Sequence, residues 1–381
     1  MSNPILLNKK TGLFWLQLFL VFVAATHYLT VYFFLVPVLL GFTYALSYML
    51  KPKVKKDAIS MFFLLLLTGY LFRSGFNGLY LTLGFWQDLL LIFYNYSMVR
   101  LFSKYRLGNR EAKWIIYIFF ALLFFYLAGQ SMGLSSLELS RLIFTSSSYH
   151  IVAWFGLIFV ALVVSSHGVS KVSLAVISLY FLLCIILGGR TGVFMSAFLL
   201  LSSILIVMKD RFSFRMNLLL ISIISFVMFI MSDIDISGIA ISKDVSERGA
   251  SLGPREFIWL CYYDELNINT LVFGFDKQLV STCVSPYISR VSVESSFFSL
   301  QLLTGFFATF ILFLLIKAII KSFQNNLLLF CVNLCFLFRM ATGEFVFITA
   351  FDWLFLINLF NIDKSENINE KIARALLLSI L

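Results

Sequence analysis

From Thr11 to Leu50 the chain runs forty residues without an Asp, Glu, Lys or Arg. A helix crosses the roughly 30 Å hydrocarbon core of a bilayer with about 20 apolar residues, so two crossings fit this run and one does not. Stretches of bilayer length recur along the 381 residues, 61% of which are hydrophobic and only 13% charged. A soluble domain is about half apolar and about a quarter charged. The chain is therefore expected to be an all-α polytopic membrane protein and a single transmembrane domain over 1–381. Twelve spans are predicted near 11–27, 29–50, 58–73, 79–101, 114–130, 149–166, 172–187, 192–208, 216–231, 295–316, 327–338 and 345–360. The basic start and first apolar run have the look of a signal peptide; because a second span follows at once, they are read as a retained first helix.

Orientation follows from the loops. "KPKVKK" (51–56), "SKYRLGNREAK" (103–113) and "KDRFSFR" (209–215) share a side with both termini, and that side holds 20 of the 29 Lys and Arg residues. Basic loops mark the cytoplasmic face, which accounts for the net charge of +10 without a nucleic-acid partner. The cytoplasmic set is 14 Lys and 6 Arg, whereas the outer set is 2 Lys and 7 Arg: Arg73, Arg141, Arg190, Arg248, Arg255, Arg290 and Arg339. Arginine suits bidentate phosphate binding and stays charged when partly desolvated. The split points to an outward-facing anion site, against the alternative of chance among nine residues.

Residues 232–293 form the one long outer loop, rich in both acids and bases. Loops of this length without structure of their own usually carry function, and a lid or substrate-binding role is expected. Within it, "SLGPREFIWLCYYDEL" (251–266) reads as a short amphipathic helix with Pro254 in its first turn. The tail, 361–381, reads as amphipathic and cytoplasmic. His27, His150 and His167 are scattered, and the five cysteines lack metal-type spacing, so neither a metal nor a cofactor is expected. Cys261 and Cys283 share the long loop and could pair in an oxidising compartment, although the simpler expectation leaves all five as thiols.

Arg190 interrupts the apolar run "LCIILGGRTGVFMSAFLL" (183–200). Gly188 and Gly189 are expected to end one helix, and Thr191 or Gly192 to begin the next. Arg190 then sits at a hairpin apex beside a helix N-terminus, where free N–H groups and the helix dipole favour an anion. The bland alternative is an arginine that snorkels and merely closes the hairpin.

"GGRTG" followed by an apolar helix resembles the hairpin of the O-antigen polymerase and ligase superfamily. "GPREFIWLCYYDELNINTLVFGFD" (253–276) is similar to that family's pattern of an arginine, a tryptophan four residues on and a glycine turn, here Arg255, Trp259 and Phe273-Gly274-Phe275. "ESSFFSLQLLTGFFATF" (294–310) resembles the segment opening the next helix. Where the family has a histidine this chain has Glu294, a departure that argues against the ligase branch. The resemblance implies a GT-C-like glycosyltransferase, an O-antigen polymerase in the bacterial inner membrane with its site facing the periplasm. It would move a growing glycan from undecaprenyl pyrophosphate to a hydroxyl of an incoming undecaprenyl-pyrophosphate-linked repeat unit, with inversion and without a metal. Membrane lipids and a chain-length regulator protein are the further partners implied.

On that reading Glu294, Arg190 and Arg255 are catalytic, and Arg190, Arg248, Arg255, Arg290, Arg339 and Trp259 bind pyrophosphate or glycan. Glu294 would be the base, or would instead hold Arg290 four residues earlier; Asp264, Glu256 and Glu344 stand behind it. Arg73 and Arg141 are as readily solvated as functional, and His27 and His150 are expected to be structural. Trp86, Trp154 and Trp353 are candidates for a lipid-tail groove or for stacking on sugars. The rival functions are the related ligase and, from another class, a lipid-linked sugar flippase.

Overall fold

A computed structural model of the chain describes residues 4–24, 41, 57–76, 78, 82–102, 105–143, 149–207, 254–274, 295–341 and 352–360. Among these, every regular element is a helix and no strand occurs. The helices are α1 (Pro4–Ala24), α2 (Ala58–Phe76), α3 (Leu83–Phe102), α4 (Asn109–Ser131), α5 (Ser136–Ile143), α6 (Tyr149–His167) and α7 (Lys171–Leu187). They continue with α8 (Arg190–Val207), α9 (Pro254–Asp264), α10 (Ile268–Phe273), α11 (Ser296–Thr304), α12 (Phe307–Asn325), α13 (Leu327–Ala341) and α14 (Asp352–Phe360). Three of them are long and apolar enough to cross a membrane, Ala58–Phe76, Asn109–Ser131 and His150–His167, and shorter apolar helices lie beside them. The architecture is that of an all-α membrane protein. The expected spans at 29–50 (Gly41 apart) and 216–231, most of the long loop and the 361–381 tail lie outside the described residues.

The helices form one bundle around α6, which packs on α4, α5, α7, α8, α13 and α14. Every residue of α6 from Val152 to Val164 is buried, which is why this helix is apolar on all sides rather than along one stripe. Apolar burial gives little net driving force between helices already in lipid, so close packing and hydrogen bonds between helices carry more of the association. Ser165 Oγ of α6 donates to Asn358 Oδ1 of α14 at 2.9 Å. The Trp353 N–H of α14 donates to Asn95 Oδ1 of α3 at 3.0 Å. Asn333 Nδ2 donates to Ser322 Oγ at 3.1 Å between α13 and α12, and Tyr94 OH to Gln17 Oε1 at 3.0 Å between α3 and α1. Each such bond is worth about 0.6–2 kcal/mol.

The chain passes back and forth, so the bundle has two ends. One end gathers the Asp57–Arg100 ion pair, Nη1 to Oδ2 2.5 Å, and the basic residues Arg106, Arg110, Lys171, Lys317 and Lys321. The other gathers the α7–α8 hairpin, α5 and the α11–α12 junction. Arg73, Arg141, Arg190, Arg255 and Arg339 belong to this second end, where the described residues include no lysine.

Three expectations need correction. The span at 295–316 is not one helix: Gly305, with φ 54, breaks it into α11 and α12. The stretch between α4 and α6 is not a bare loop, because it holds α5. There the Ser135 N–H and Oγ each lie 2.7 Å from Glu138 Oε2, and the Glu138 N–H returns to Ser135 Oγ at 3.2 Å, a capping box. The bonds from Ser135 hold the Glu138 carboxyl below its ordinary range. Finally, Trp154 and Trp353 are 3% and 0% exposed, core residues rather than a groove or sugar platform, whereas Trp86 is 58% exposed.

Candidate functional site at the arginine-rich end

The hairpin that carries Arg190 is built by its glycines. Gly188 takes the left-handed conformation, φ 71, and its N–H returns to the Cys184 carbonyl at 3.1 Å to close α7. The Gly189 carbonyl accepts the Val193 N–H at 3.0 Å, so Gly189 is the N-cap and Arg190 is already the first residue of α8, one residue earlier than expected. A glycine N-cap has no side chain to satisfy the helix's first N–H groups. Gly188, Gly189 and Gly192 are all buried, so this N-terminus is set into protein. The Ile186 carbonyl is held from outside by Gln130 Nε2 at 3.1 Å and Ser136 Oγ at 2.8 Å, which fixes the hairpin to α4 and α5.

Arg339 lies in the last turn of α13, a helix packed on both α6 and α8. A span ending at 338 would leave Arg339 in a loop. Instead its side chain is 1% exposed, and Nη2 lies 3.5 Å from the His150 carbonyl. Arg73 is likewise 8% exposed in the last turn of α2, while Arg141 on α5 is exposed.

The second part of the site is the docked piece of the long loop. The predicted helix at Pro254 is present as α9, with Arg255 in its first turn and Trp259 one turn on. Trp259, Tyr262 and Tyr263 surround Phe298 of α11, Tyr262 stacking on it with ring centroids 4.2 Å apart. Tyr262 OH donates to Gln301 Oε1 at 2.7 Å, and Gln301 Nε2 donates to the Thr270 carbonyl at 2.9 Å. Burial, with Tyr263 adding to it, pushes the Tyr262 phenol above its ordinary value, so it stays a donor across the physiological range. Next, Phe273 stacks on Phe76 of α2 with centroids 3.7 Å apart. The Phe306 N–H reaches the Val272 carbonyl at 2.9 Å. There Gly274 and Gly305 meet back to back: a Cβ on Gly305 would stand 2.2 Å from the Val272 oxygen, and one on Gly274 2.5 Å from the Leu302 oxygen.

Of the sequence-derived candidates, Arg190, Arg255, Trp259 and Arg339 thus lie on elements at one end of the bundle. Asp264 is exposed at the end of α9, and Glu256 follows Arg255 in its first turn. Glu294, Arg248, Arg290 and Glu344 lie outside the described residues. Gln301, Tyr262 and Phe298 had no assigned role; the available signal was a single glutamine in an apolar helix one turn before a glycine. Among the described residues no group of His, Cys, Asp and Glu is arranged to hold a metal ion.

Cys184, Cys331 and Cys335 are buried free thiols, but Cys261 on α9 is disulfide-bonded, which overturns the expectation of five thiols. Its partner lies outside the described residues. Alkylation of the denatured, non-reduced protein with iodoacetamide is expected to mark Cys184, Cys331 and Cys335 and to spare Cys261 until reductant is added. Modification of Cys261 without reductant, read by peptide mass, would show a thiol there.

Comparison of the chain with protein-family models, curated proteins and solved structures finds no match in any of the three.

Proposed function

We propose that the chain is a glycan polymerase of the O-antigen polymerase kind: a GT-C-like, twelve-span enzyme of the bacterial inner membrane with its site at the periplasmic end. The observation that carries the reading is the contact between Gly274 and Gly305. These glycines belong to two of the segments that resemble the family, 253–276 and 294–310. Their contact sets Trp259 and the helix bearing Arg255 at the bundle end that also holds Arg190 and Arg339. A disulfide at Cys261 suits an oxidising compartment on that side.

In this mechanism the acceptor hydroxyl of an undecaprenyl-pyrophosphate-linked repeat unit attacks the anomeric carbon of the growing glycan. The new glycosidic C–O bond forms as the bond from the anomeric carbon to the pyrophosphate oxygen breaks, inverting the centre. The hydroxyl proton passes to a carboxylate, Glu294 being the first choice. Negative charge develops on the departing pyrophosphate, and Arg190 with Arg255 stabilises it, the N-terminus of α8 adding its dipole. Arg248, Arg290 and Arg339 are further anion ligands and Trp259 a sugar platform.

The test is a surface-glycan gel of a strain deleted for the gene and complemented with variants. Deletion is expected to leave a single repeat on the core. Unsubstituted core would indicate a ligase, and carrier-linked units held in the cytoplasm a flippase. Arg190→Ala is expected to behave like the deletion, since losing one such charge-stabilising group costs about 10²–10³ in rate. Full-length glycan from Arg190→Ala would end its assignment as an anion ligand.

A further inference from the structure

At the end opposite Arg190, α1, α4 and the loop that precedes α4 line a groove of about 710 Å³. Its polarity is graded along the helices. Arg110, Trp114 and Ile118 line it at four-residue steps on one face of α4, each about 6 Å further along the axis than the last. α4 is one of the helices long and apolar enough to cross a membrane. The guanidinium is therefore outermost, the indole next and the aliphatic side chain deepest. Thr11 and Trp15 repeat the step on α1. Arg106 comes from the loop, which is pinned on both sides of it. The Tyr105 ring stacks on Phe14 of α1 with centroids 4.6 Å apart, and the Leu107 N–H donates to Ser166 Oγ of α6 at 2.9 Å. Arg106 and Arg110 are both exposed, and neither makes an ion pair or hydrogen bond among the described residues. The one carboxylate in the lining, Glu111, is turned to the loop, accepting from Tyr105 OH at 2.9 Å and from the Gly108 N–H. The lining thus keeps one positive charge in excess. Basic groups at the mouth, indole rings at the level below and apolar surface beneath them match the headgroup, glycerol and acyl chain of an anionic lipid.

We propose that this groove is a binding site for an anionic phospholipid, with its phosphate on Arg106 and Arg110, its glycerol esters beside Trp15 and Trp114, and an acyl chain along Ile118. The site serves lipid rather than the chemistry at the other end, and it stands whether or not the chain is a polymerase. The guanidinium fork suits a phosphate, which it can hold through two hydrogen bonds at once, and the excess positive charge disfavours a zwitterionic headgroup.

The test is native mass spectrometry of the full-length protein in detergent, titrated separately with dioleoyl phosphatidylglycerol, dioleoyl phosphatidylcholine and inorganic phosphate. Wild type is expected to retain phosphatidylglycerol in preference to phosphatidylcholine, and inorganic phosphate is expected neither to bind nor to compete. Arg106→Gln/Arg110→Gln should weaken phosphatidylglycerol binding about 30-fold, at about 5-fold per basic group, while leaving phosphatidylcholine binding unchanged. Trp114→Ala should weaken both lipids alike, since the ring does not read charge. Lys171→Gln removes an exposed cation at the same end but outside the groove and should leave both affinities unchanged. Unchanged phosphatidylglycerol affinity in the double arginine variant would overturn the proposal, as would the same loss from Lys171→Gln. So would equal affinity of wild type for the two lipids, an unaffected Trp114→Ala, or displacement of lipid by phosphate. Deletion of 361–381 should change nothing. A gain of phosphatidylglycerol binding on that deletion would assign the arginines to Asp363, Glu366 and Glu370 of the chain's own tail and overturn the proposal equally.

Discussion

Alanine at position 305 is expected to detach residues 267–274 from the bundle end while leaving the membrane helices folded. Two costs combine at this glycine. Its φ of 54 is a conformation that L residues rarely adopt, which costs about 1–3 kcal/mol. The added methyl would also sit 2.2 Å from the Val272 oxygen, 2.8 Å from the Gly274 nitrogen and 2.9 Å from the Phe273 carbonyl carbon. All three are backbone atoms, so no side chain can rotate away; the docked segment must lift. The hydrogen bonds from Phe306 to Val272 and from Gln301 to Thr270 go with it, for a total of about 2–4 kcal/mol. Gly133, with φ 84 and nothing within 4 Å of the place a methyl would take, is the matched control, since alanine there meets strain and no collision. Hydrogen exchange should rise in 267–274 for Gly305→Ala and not for Gly133→Ala. On the polymerase reading, surface glycan should shorten in the first and not in the second. Unchanged protection in Gly305→Ala would mean that the docking does not depend on this contact.

The second large effect is expected at Arg339. Arg339 lies in the last turn of α13 with its side chain only 1% exposed, and a charge shut away from water is costly unless polar groups hold it. Arg339→Met keeps most of the volume and removes the charge. Because buried ionic groups replaced by well-packed apolar ones often lose little, its thermal midpoint is expected to stay at or above that of the wild type. Arg339→Ala removes the volume as well and should cost about 2–5 kcal/mol. Both should abolish polymerisation if the guanidinium serves the anion. A methionine variant making glycan of full length would reduce Arg339 to a packing residue. A methionine variant as unstable as the alanine one would show that the arginine holds α13 to α6 through its polar contacts.

The helices read well from sequence where length and hydropathy alone decide them. α2, α4, α6, α7 and α8 begin and end within a few residues of the spans expected for them, and the α9 helix was visible in Pro254 and its amphipathic pattern. Hydropathy fails where a decision rests on contacts distant in sequence. Nothing local distinguishes Gly305 from a glycine within a straight helix; Val272 and Gly274 make it a break. Arg339 ends an apolar window by its charge, but the α6 carbonyl at His150 lets the helix carry it inward. α5 is too short to register as a span, and its capping box is a side-chain signal that hydropathy averages away. The candidate site was legible as a set of arginines on one side, because charge placement is a property of topology. In its docked half only the α9 helix was legible, because the Tyr262–Gln301–Thr270 clamp is made by side-chain geometry.

The burial of α6 also bears on the order in which the protein is made. α6 is complete by His167, yet α13 and α14, which cover part of it, leave the ribosome more than 150 residues later. Through that interval the exposed flank has only lipid for a neighbour. A helix with no charge or amide along Val152–Val164 tolerates this wait, since acyl chains occupy the place until α13 and α14 arrive. The amide of Asn358 and the guanidinium of Arg339 are carried by the late partners instead, and they meet Ser165 and His150 at the two ends of a pillar already standing.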